Sequence, residues 1–156
     1  MNTGIVQGTD SFFTFRLGAE LLAVNAANVS RIAGLLPVTK VPDMPHFVEG
    51  IVSLEGEVLP VFDGRSKFGM GDTERNSKPC MIFLSFELEG HLCGAGLVVD
   101  SVGKVFKSNG LVALSPEMAE SYNPEYVAGM IDVDGKAVAL LDIVKVFARE
   151  AVCRLK

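Results

Sequence analysis

Few residues in this sequence have the types and spacing that catalysis or metal binding requires. The chain contains two histidines, His46 and His91, and three cysteines. Neither histidine belongs to a group with metal-ligand spacing, so no zinc site is predicted. Cys80 or Cys93 could pair with His91 as nucleophile and base, but both cysteines lie in apolar stretches typical of buried strands. The residues favour recognition by a surface, with a small cysteine-dependent enzyme as the alternative.

Two glycine-containing motifs bear a partial likeness to ligand-binding loops. Asp132-x-Asp134-Gly135 begins like a calcium loop, but its glycine comes too early and the run of ligands stops, so it predicts a hairpin turn. Gly94-x-Gly96 lacks the third glycine and the helix of a dinucleotide-binding fingerprint, and no phosphate-binding loop is present. The sequence therefore predicts no metal and no other cofactor.

Composition narrows the class of protein and its compartment. The chain has 156 residues, of which 49% are hydrophobic, so most of its length should fold into one domain. A net charge of −5 argues against a nucleic-acid binder and an anionic-membrane binder. The apolar run Leu92–Val99 is too short to enter and cross a membrane, and residues 1–10 do not resemble a secretory signal. Three widely spaced cysteines indicate small apolar residues in a reducing compartment, so a cytoplasmic location is expected.

The chain contains an internal repeat that should set its fold. Pro45–Asp63 aligns without a gap with Pro124–Asp142 at a shift of 79 residues, and each segment reads as two short strands around a glycine turn. Residues 12–32 likewise resemble residues 81–105. Two similar β units predict a mainly β protein built as two small barrels of about five strands each.

Helices should be few and short. Asn25 is a candidate cap for a helix reaching about Ile32, and Ser115-Pro116-Glu117 could start another. Asp142 should cap a C-terminal helix that continues through Leu155. The expected organisation is a flexible segment 1–11, a single domain 12–150 containing the repeat segments 12–63 and 81–142, and the end of the C-terminal helix at 151–156.

Several strings in the sequence resemble the CheW-like domain family. They are Phe15-Arg16-Leu17-Gly18, the hairpin from Gly50 to Gly64 (GIVSLEGEVLPVFDG), Gly96–Val102 (GLVVDSV), Tyr126-Val127-Ala128-Gly129 and Leu141-Asp142-Ile143-Val144-Lys145. The likeness runs from about Phe12 to Phe147, nearly the whole chain.

The resemblance implies two intertwined five-stranded SH3-like barrels related by a pseudo-twofold axis. It also implies a cytoplasmic adaptor without catalytic activity, which couples chemoreceptors to the chemotaxis histidine kinase in a signalling array. The partners would be the regulatory domain of that kinase and the cytoplasmic tip of a receptor, with no nucleic acid and no direct membrane insertion. The alternative within the family is a scaffold for another pathway, such as pilus motility or array positioning.

The resemblance also assigns expected contact residues. The receptor groove would contain Val29, Gly50, Gly56 and Val102. The patch facing the kinase would contain Ile51, Leu54 and Val58, although strand alternation alone leaves open whether each of these three is buried or exposed.

Two charged residues differ from the family pattern, and both have the opposite sign. The family's arginine in the hairpin turn is Glu55 here, and an acidic residue common in the preceding segment is Arg31. The repeat equivalents in the second half are Asp134 and Lys104. We hypothesise two symmetry-related ion pairs, Arg31–Glu55 and Lys104–Asp134, with four unrelated surface charges as the alternative.

Overall fold

The structure is a computed structural model that describes residues 10–70, 78–108, 111–112, 125–148 and 152–153. Most of these residues are in strands. The strands are β1 (Asp10–Leu17), β2 (Glu20–Asn25), β3 (Val29–Gly34), β4 (Val48–Leu54), β5 (Glu57–Asp63), β6 (Cys80–Leu88), β7 (His91–Val99), β8 (Ser101–Ser108), β9 (Leu111–Val112), β10 (Val127–Val133), β11 (Lys136–Leu141) and β12 (Val152–Cys153). The helices are α1 (Gly64–Lys67) and α2 (Ile143–Phe147).

The strands form two sheets of matching design. The first has the order β8-β1-β2-β11-β10-β9, and the second has the order β3-β6-β7-β5-β4, with β12 beside β7. Since β9 and β12 have two residues each, each sheet has five long strands. The predicted pair of five-stranded units is confirmed.

The two halves of the chain exchange strands. β1 and β2 come from the first half but pair with β8 and β11 of the second half, while β6 and β7 pair with β3 and β5 of the first. The parallel pairs β2–β11 and β5–β7 join the halves within each sheet. Each half alone lacks strands that its sheet needs, so the predicted intertwining is confirmed.

The buried side chains divide into three clusters that follow this architecture. One cluster belongs only to the first sheet and includes Phe12, Ile131 and Leu140. Another belongs only to the second sheet and includes Val61 and Phe83. The largest cluster takes residues from both sheets and from α2, so apolar burial between the sheets holds them together.

Three of the hairpin turns, those with glycine at the second central position, are of one kind. Glu55 and Gly56 have φ angles of 51° and 82°, and the pairs Glu89-Gly90 and Asp134-Gly135 repeat these values closely. Positive φ at both central residues defines a type I′ turn, whose twist matches that of the flanking strands. The sequence prediction of turns at these glycines is confirmed.

The region after β2 differs from the sequence prediction. Asn25 does act as a cap, because its side chain accepts a hydrogen bond of 2.9 Å from the N–H of Ala27. The helix is only a 3₁₀ turn over Ala26–Asn28, and Val29–Gly34 form β3. The predicted helix to Ile32 is wrong because this segment pairs with the edge of β6, which outweighs its local preference.

The predicted bounds of the first and last elements of the chain are also wrong. Asp10 and Ser11 already belong to β1, whereas the flexible segment was expected to reach residue 11. The C-terminal helix covers only Ile143–Phe147, and Val152 and Cys153 pair with β7 instead of continuing to Leu155. β5 pairs with β7 only from Gly96 onward. The backbone groups of Cys93 and Gly94 on that side of β7 therefore pair with β12. The predicted helix at Ser115 lies outside the described residues.

A buried ion pair connects the two sheets. Arg65 of α1 and Asp100, between β7 and β8, have side-chain exposures of 5% and 7%, and Arg65 Nη2 lies 2.6 Å from Asp100 Oδ2. Arg65 Nε also donates to both carboxylate oxygens, at 3.1 and 3.0 Å. The N–H of Gly18, in the β1–β2 turn, donates to the same carboxylate at 2.6 Å. One carboxylate therefore fixes α1 and the β1–β2 turn relative to each other.

Removing one partner of this pair should be costly. Arg65→Met leaves the Asp100 carboxylate buried without its cation, so the free energy of unfolding should fall by about 3–5 kcal/mol. The double variant Arg65→Met/Asp100→Leu should lose less than Arg65→Met alone, because no charge is then left buried. Urea denaturation followed by circular dichroism measures both. A loss below 1 kcal/mol in the single variant would contradict this account.

Candidate interaction surface

The β4–β5 hairpin carries most of the residues expected to make contacts, and Gly50 anchors it. A Cβ atom at Gly50 would collide with the carbonyl oxygen of Thr39 and lie 2.7 Å from Val38 Cγ1. Its φ of 147° is also one that other residues rarely adopt. The close approach allows Thr39 and Ile51 to exchange two backbone hydrogen bonds of 2.9 and 2.8 Å. Gly50 thus positions the hairpin against the segment that follows β3.

The turn of this hairpin is joined to β3 by an ion pair. Arg31 Nη1 lies 2.9 Å from Glu55 Oε1, and the two side chains are 44% and 77% exposed. β3 and β4 are opposite edges of their sheet, which in a flat sheet would be roughly 19 Å apart. A direct contact between β3 and the β4–β5 turn requires the sheet to curl into a barrel. Because it is exposed, the pair should contribute only ~0–1 kcal/mol and serves mainly to position the turn.

The second half has no equivalent pair among the residues that the structure describes. Lys104 on β8 and Asp134 in the β10–β11 turn are both exposed, and no ion pair joins them. An aspartate is one methylene shorter than a glutamate, and a lysine is more strongly hydrated than an arginine and lacks its planar fork. The hypothesised Lys104–Asp134 pair is therefore not formed.

The two valines assigned to the groove lie on different sheets. Val29 begins β3 and is half-buried, packed against the cluster shared by both sheets. Val102 is on β8 of the first sheet and is 39% exposed. These two positions therefore belong to different barrels, whereas Gly50 and Gly56 both lie on the barrel of Val29.

The three residues of the expected kinase-facing patch have different environments. Val58 is 52% exposed, Ile51 is half-buried, and Leu54 packs partly against the core of the second sheet. Beside Val58 lies Leu92, which is 50% exposed and was not predicted from the sequence. Both line a pocket of about 450 Å³, whose other walls are Ser30, Gly56, Glu57, Leu59, Leu84, Ser85, Cys93 and Gly94.

Other exposed apolar side chains were also missed. Val105 on β8 is 57% exposed, and Leu35, just after β3, is 56% exposed. In the sequence these residues look like ordinary strand or linker hydrophobes. Their exposure depends on which neighbours the fold places beside them, and the sequence does not show this.

The cysteines do not assemble a nucleophilic site within the described residues. Cys93 is disulfide-bonded, so its sulfur is not a free nucleophile, and the expectation that the cysteines are only small apolar residues is wrong for it. Cys80 is free, and burial raises the pKa of its thiol above the ordinary value, which disfavours the thiolate. No cluster of potential metal ligands occurs among the residues described.

The fold and this surface define a scaffold domain that works by contact. Two barrels with exchanged strands present exposed valines and leucines, a charged hairpin turn and an open pocket. The chain belongs to the CheW-like domain family, whose model matches residues 11–151. This is a family of non-catalytic adaptors of bacterial chemotaxis, and the chain is a non-enzymatic adaptor of this kind.

Known relatives agree with this assignment over most of their length. The chain is 26% identical to the chemotaxis protein CheW of Rhizobium meliloti (strain 1021), over 94% of this chain and 92% of the relative. It is 31% identical to protein FrzA of Myxococcus xanthus, over 86% and 82%. The crystal structure of the scaffolding protein TtCheW from Thermoanaerobacter tengcongensis matches with a TM-score of 0.73 and 28% identity, covering 85% of this chain and 88% of that one.

In the ranges that the structure describes, no helix has the length and apolar character needed to span a bilayer.

The two hairpin glycines should respond differently to the same substitution. Gly50→Ala places a methyl group against Thr39 and Val38, so it should cost about 1–3 kcal/mol from overpacking alone. Gly56→Ala meets no atom within 4 Å and should cost only the ~1 kcal/mol of an unfavourable φ. Thermal and urea denaturation of the two variants measure the difference. Equal losses would show that Gly50 is not held by this contact.

Proposed function

We propose that this protein couples the cytoplasmic tip of a chemoreceptor to the regulatory domain of a chemotaxis histidine kinase. The observation that carries the proposal is the apolar surface beside the pocket, where Val58 and Leu92 are each about half exposed. Burying the exposed half of these two side chains against a partner would contribute about 1 kcal/mol each. A surface of this size is suited to a weak contact. The effective affinity of such a contact rises when several partners are held in one array.

The kinase contact is proposed for the surface around Val58. Ile51 and Leu54 are partly covered by their own barrel, so Val58 and Leu92 are better suited than they are to act as anchors. The core of an interface is typically apolar and is surrounded by a polar rim. Glu57 and the Arg31–Glu55 pair supply such a polar surround.

The receptor contact is proposed for the region of Val29, Gly50, Gly56 and Val102. A receptor tip is a helical hairpin, and an apolar helix face commonly docks in a groove lined by apolar side chains. The exposure of Val102 and the half-burial of Val29 are consistent with such walls. In this proposal the protein acts in the cytoplasm and reaches the membrane-proximal array through its partners.

The alternative is the same scaffold in another pathway, such as pilus motility or array positioning. The match to protein FrzA, a relative that does not carry the CheW name, supports keeping this candidate. Pull-down with the full-length chain from its own cells, followed by mass spectrometry, distinguishes the two. Recovery of a chemotaxis kinase supports the coupling function, and recovery of only other proteins supports the alternative.

A charge at Val58 should abolish kinase binding without unfolding the protein. Val58→Glu places a carboxylate where the proposed interface excludes water, so affinity for the kinase regulatory domain should fall at least tenfold in calorimetry. Val105→Glu is the matched control, because Val105 is similarly exposed but lies on the other sheet. Equal affinities for Val58→Glu and the wild type would reject this surface.

The Arg31–Glu55 pair should show coupling in a double-mutant cycle. Glu55→Arg alone creates a like-charge contact with Arg31 and should weaken partner binding or stability, by about 1 kcal/mol or less for stability. Arg31→Glu combined with Glu55→Arg should restore much of the loss. Additive effects of the two substitutions would mean that the contact has no energetic role.

A further inference from the structure

The two edge strands β3 and β8 each carry one extra residue, a β-bulge, at corresponding places. On β8 the regular pairing with β1 is interrupted by Gly103 and Lys104, which together lie opposite the single residue Thr14. On β3 the extra residue is Ser30, which interrupts the pairing with β6. Ser30 falls on Gly103 at a shift of 73 residues, so both halves of the chain place the bulge at the same point. A bulge that recurs in this way is a feature of the fold rather than a local irregularity.

The bulge on β8 places two valines on one face of the first sheet. Residues three places apart in a regular strand point to opposite faces. Val102 and Val105 instead lie opposite Phe15 and Phe13, which are two places apart on β1 and therefore share a face. Residues directly opposite each other on paired strands point to the same side of the sheet. Both valines therefore lie on the side that carries the core cluster shared by the two sheets.

Strand β3 repeats this arrangement in the second sheet. Val29 lies opposite Leu84 and Ile32 lies opposite Ile82, and both partners belong to the shared cluster. Val29 and Ile32 therefore share a face although they are three places apart. Ile32, like Val105, is exposed. Each edge strand thus adds a second apolar side chain at the margin of the shared core, next to the proposed wall residue.

A side-chain hydroxyl spans each bulge. Thr14 Oγ1 donates to the carbonyl of Lys104 at 3.0 Å, and Thr14 is buried. Ser30 Oγ donates to the carbonyl of Phe83, also at 3.0 Å. Moving a bulge along an edge strand shifts the register of the residues that it passes by one, which turns their side chains to the other face. The two hydroxyl bonds oppose such a move because each is made only when the bulge is at its present place.

Gly103 completes the arrangement on β8. A Cβ atom at this position would collide with Thr14 Oγ1. The φ angle of Gly103 lies outside the left-handed region, so its backbone conformation does not require glycine. Gly34, at the end of β3, has open space where its Cβ would lie. Glycine is therefore needed at position 103 because of the Thr14 hydroxyl and not because of its place in an edge strand.

We propose that Thr14, Gly103 and Ser30 are positioning residues of the receptor groove. They hold the two bulges in place, and this keeps the apolar side chains of β3 and β8 on the side of the shared core. The inference rests on the proposed receptor contact, which uses Val29 and Val102. Thr14 is buried, so it acts through β8 and not by touching a partner. Ser30 also lines the pocket of the proposed kinase surface, so Thr14 and Gly103 give the clearer test.

The first test needs no partner. In Gly103→Ala the added methyl group meets the Thr14 hydroxyl, so the bulge must move. The nuclear Overhauser contact between Val105 and Phe13 should then be lost, and the urea midpoint should fall. In a Thr14→Ala background the hydroxyl is gone, so Gly103→Ala should lower the midpoint less than half as much. Gly34→Ala is the matched control and should change neither the contact nor the midpoint.

Two results would overturn the positioning role at this stage. One is additive losses of stability in the two variants, which would mean that the glycine does not accommodate the hydroxyl. The other is a Gly103→Ala variant that keeps the contact between Val105 and Phe13, because the bulge would then stay in place without this fit.

The second test measures affinity for a receptor-tip fragment by calorimetry. Thr14→Val keeps the shape of the side chain but removes the donor, so affinity should fall by roughly threefold or more. Thr14→Ser keeps the hydroxyl and should stay within about twofold of the wild type. Affinity for the kinase regulatory domain, proposed for the surface around Val58 on the other sheet, should be the same in all three proteins.

The outcomes separate this inference from the proposed function. Equal receptor affinities of Thr14→Val and the wild type would reject the positioning role. A parallel loss of receptor and kinase binding would also reject it, because the substitution would then act on the whole fold. A wild-type protein that does not bind the receptor fragment would instead reject the proposed contact, while the contact between Val105 and Phe13 still decides whether these residues hold the bulge.

Discussion

One buried carboxylate joins elements of both barrels and fixes their relative positions. Asp100 lies where the chain leaves β7 of the second sheet and enters β8 of the first, and its own N–H donates to the carbonyl of Arg16 at 3.0 Å. Its side chain binds Arg65 and the N–H of Gly18. A buried charge has no water to replace a lost partner, so these groups must keep their relative positions. Val29 and Val102, which lie on different sheets and are the proposed walls of the receptor groove, therefore have a defined separation.

The five long strands of the two sheets follow the same order, but the two halves differ in chemistry. The repeat equivalent of Arg65 is Val144, in a helix whose core face is Ile143, Val146 and Phe147. The ion pair between a strand and a hairpin turn likewise occurs at Arg31 and Glu55 but not at Lys104 and Asp134. Duplicated barrels with different surfaces can hold two different partners on one rigid body, which is what a coupling adaptor requires.

The sequence predicted the architecture well because the fold is built from repeated local patterns. The gapless repeat of Pro45–Asp63 and the glycine turns predicted the strands and hairpins. The resemblance to the family predicted that the two halves exchange strands. The failures lie where partners distant in sequence decide the outcome. Val29–Gly34 became a strand because β6 offered an edge, and Val152 became a strand because β7 did. The exposure of Leu92 and the Arg65–Asp100 contact likewise follow from tertiary packing, which no local pattern encodes.

Reconstitution shows whether this chain bridges the two proposed partners. A receptor-tip fragment and a kinase regulatory domain from the same cell are mixed with and without the protein, and their masses are followed by size-exclusion chromatography with light scattering. We expect a complex containing all three components, formed only when this protein is present. A protein that binds neither partner, or that binds each only in the absence of the other, is not a coupling adaptor for this pair.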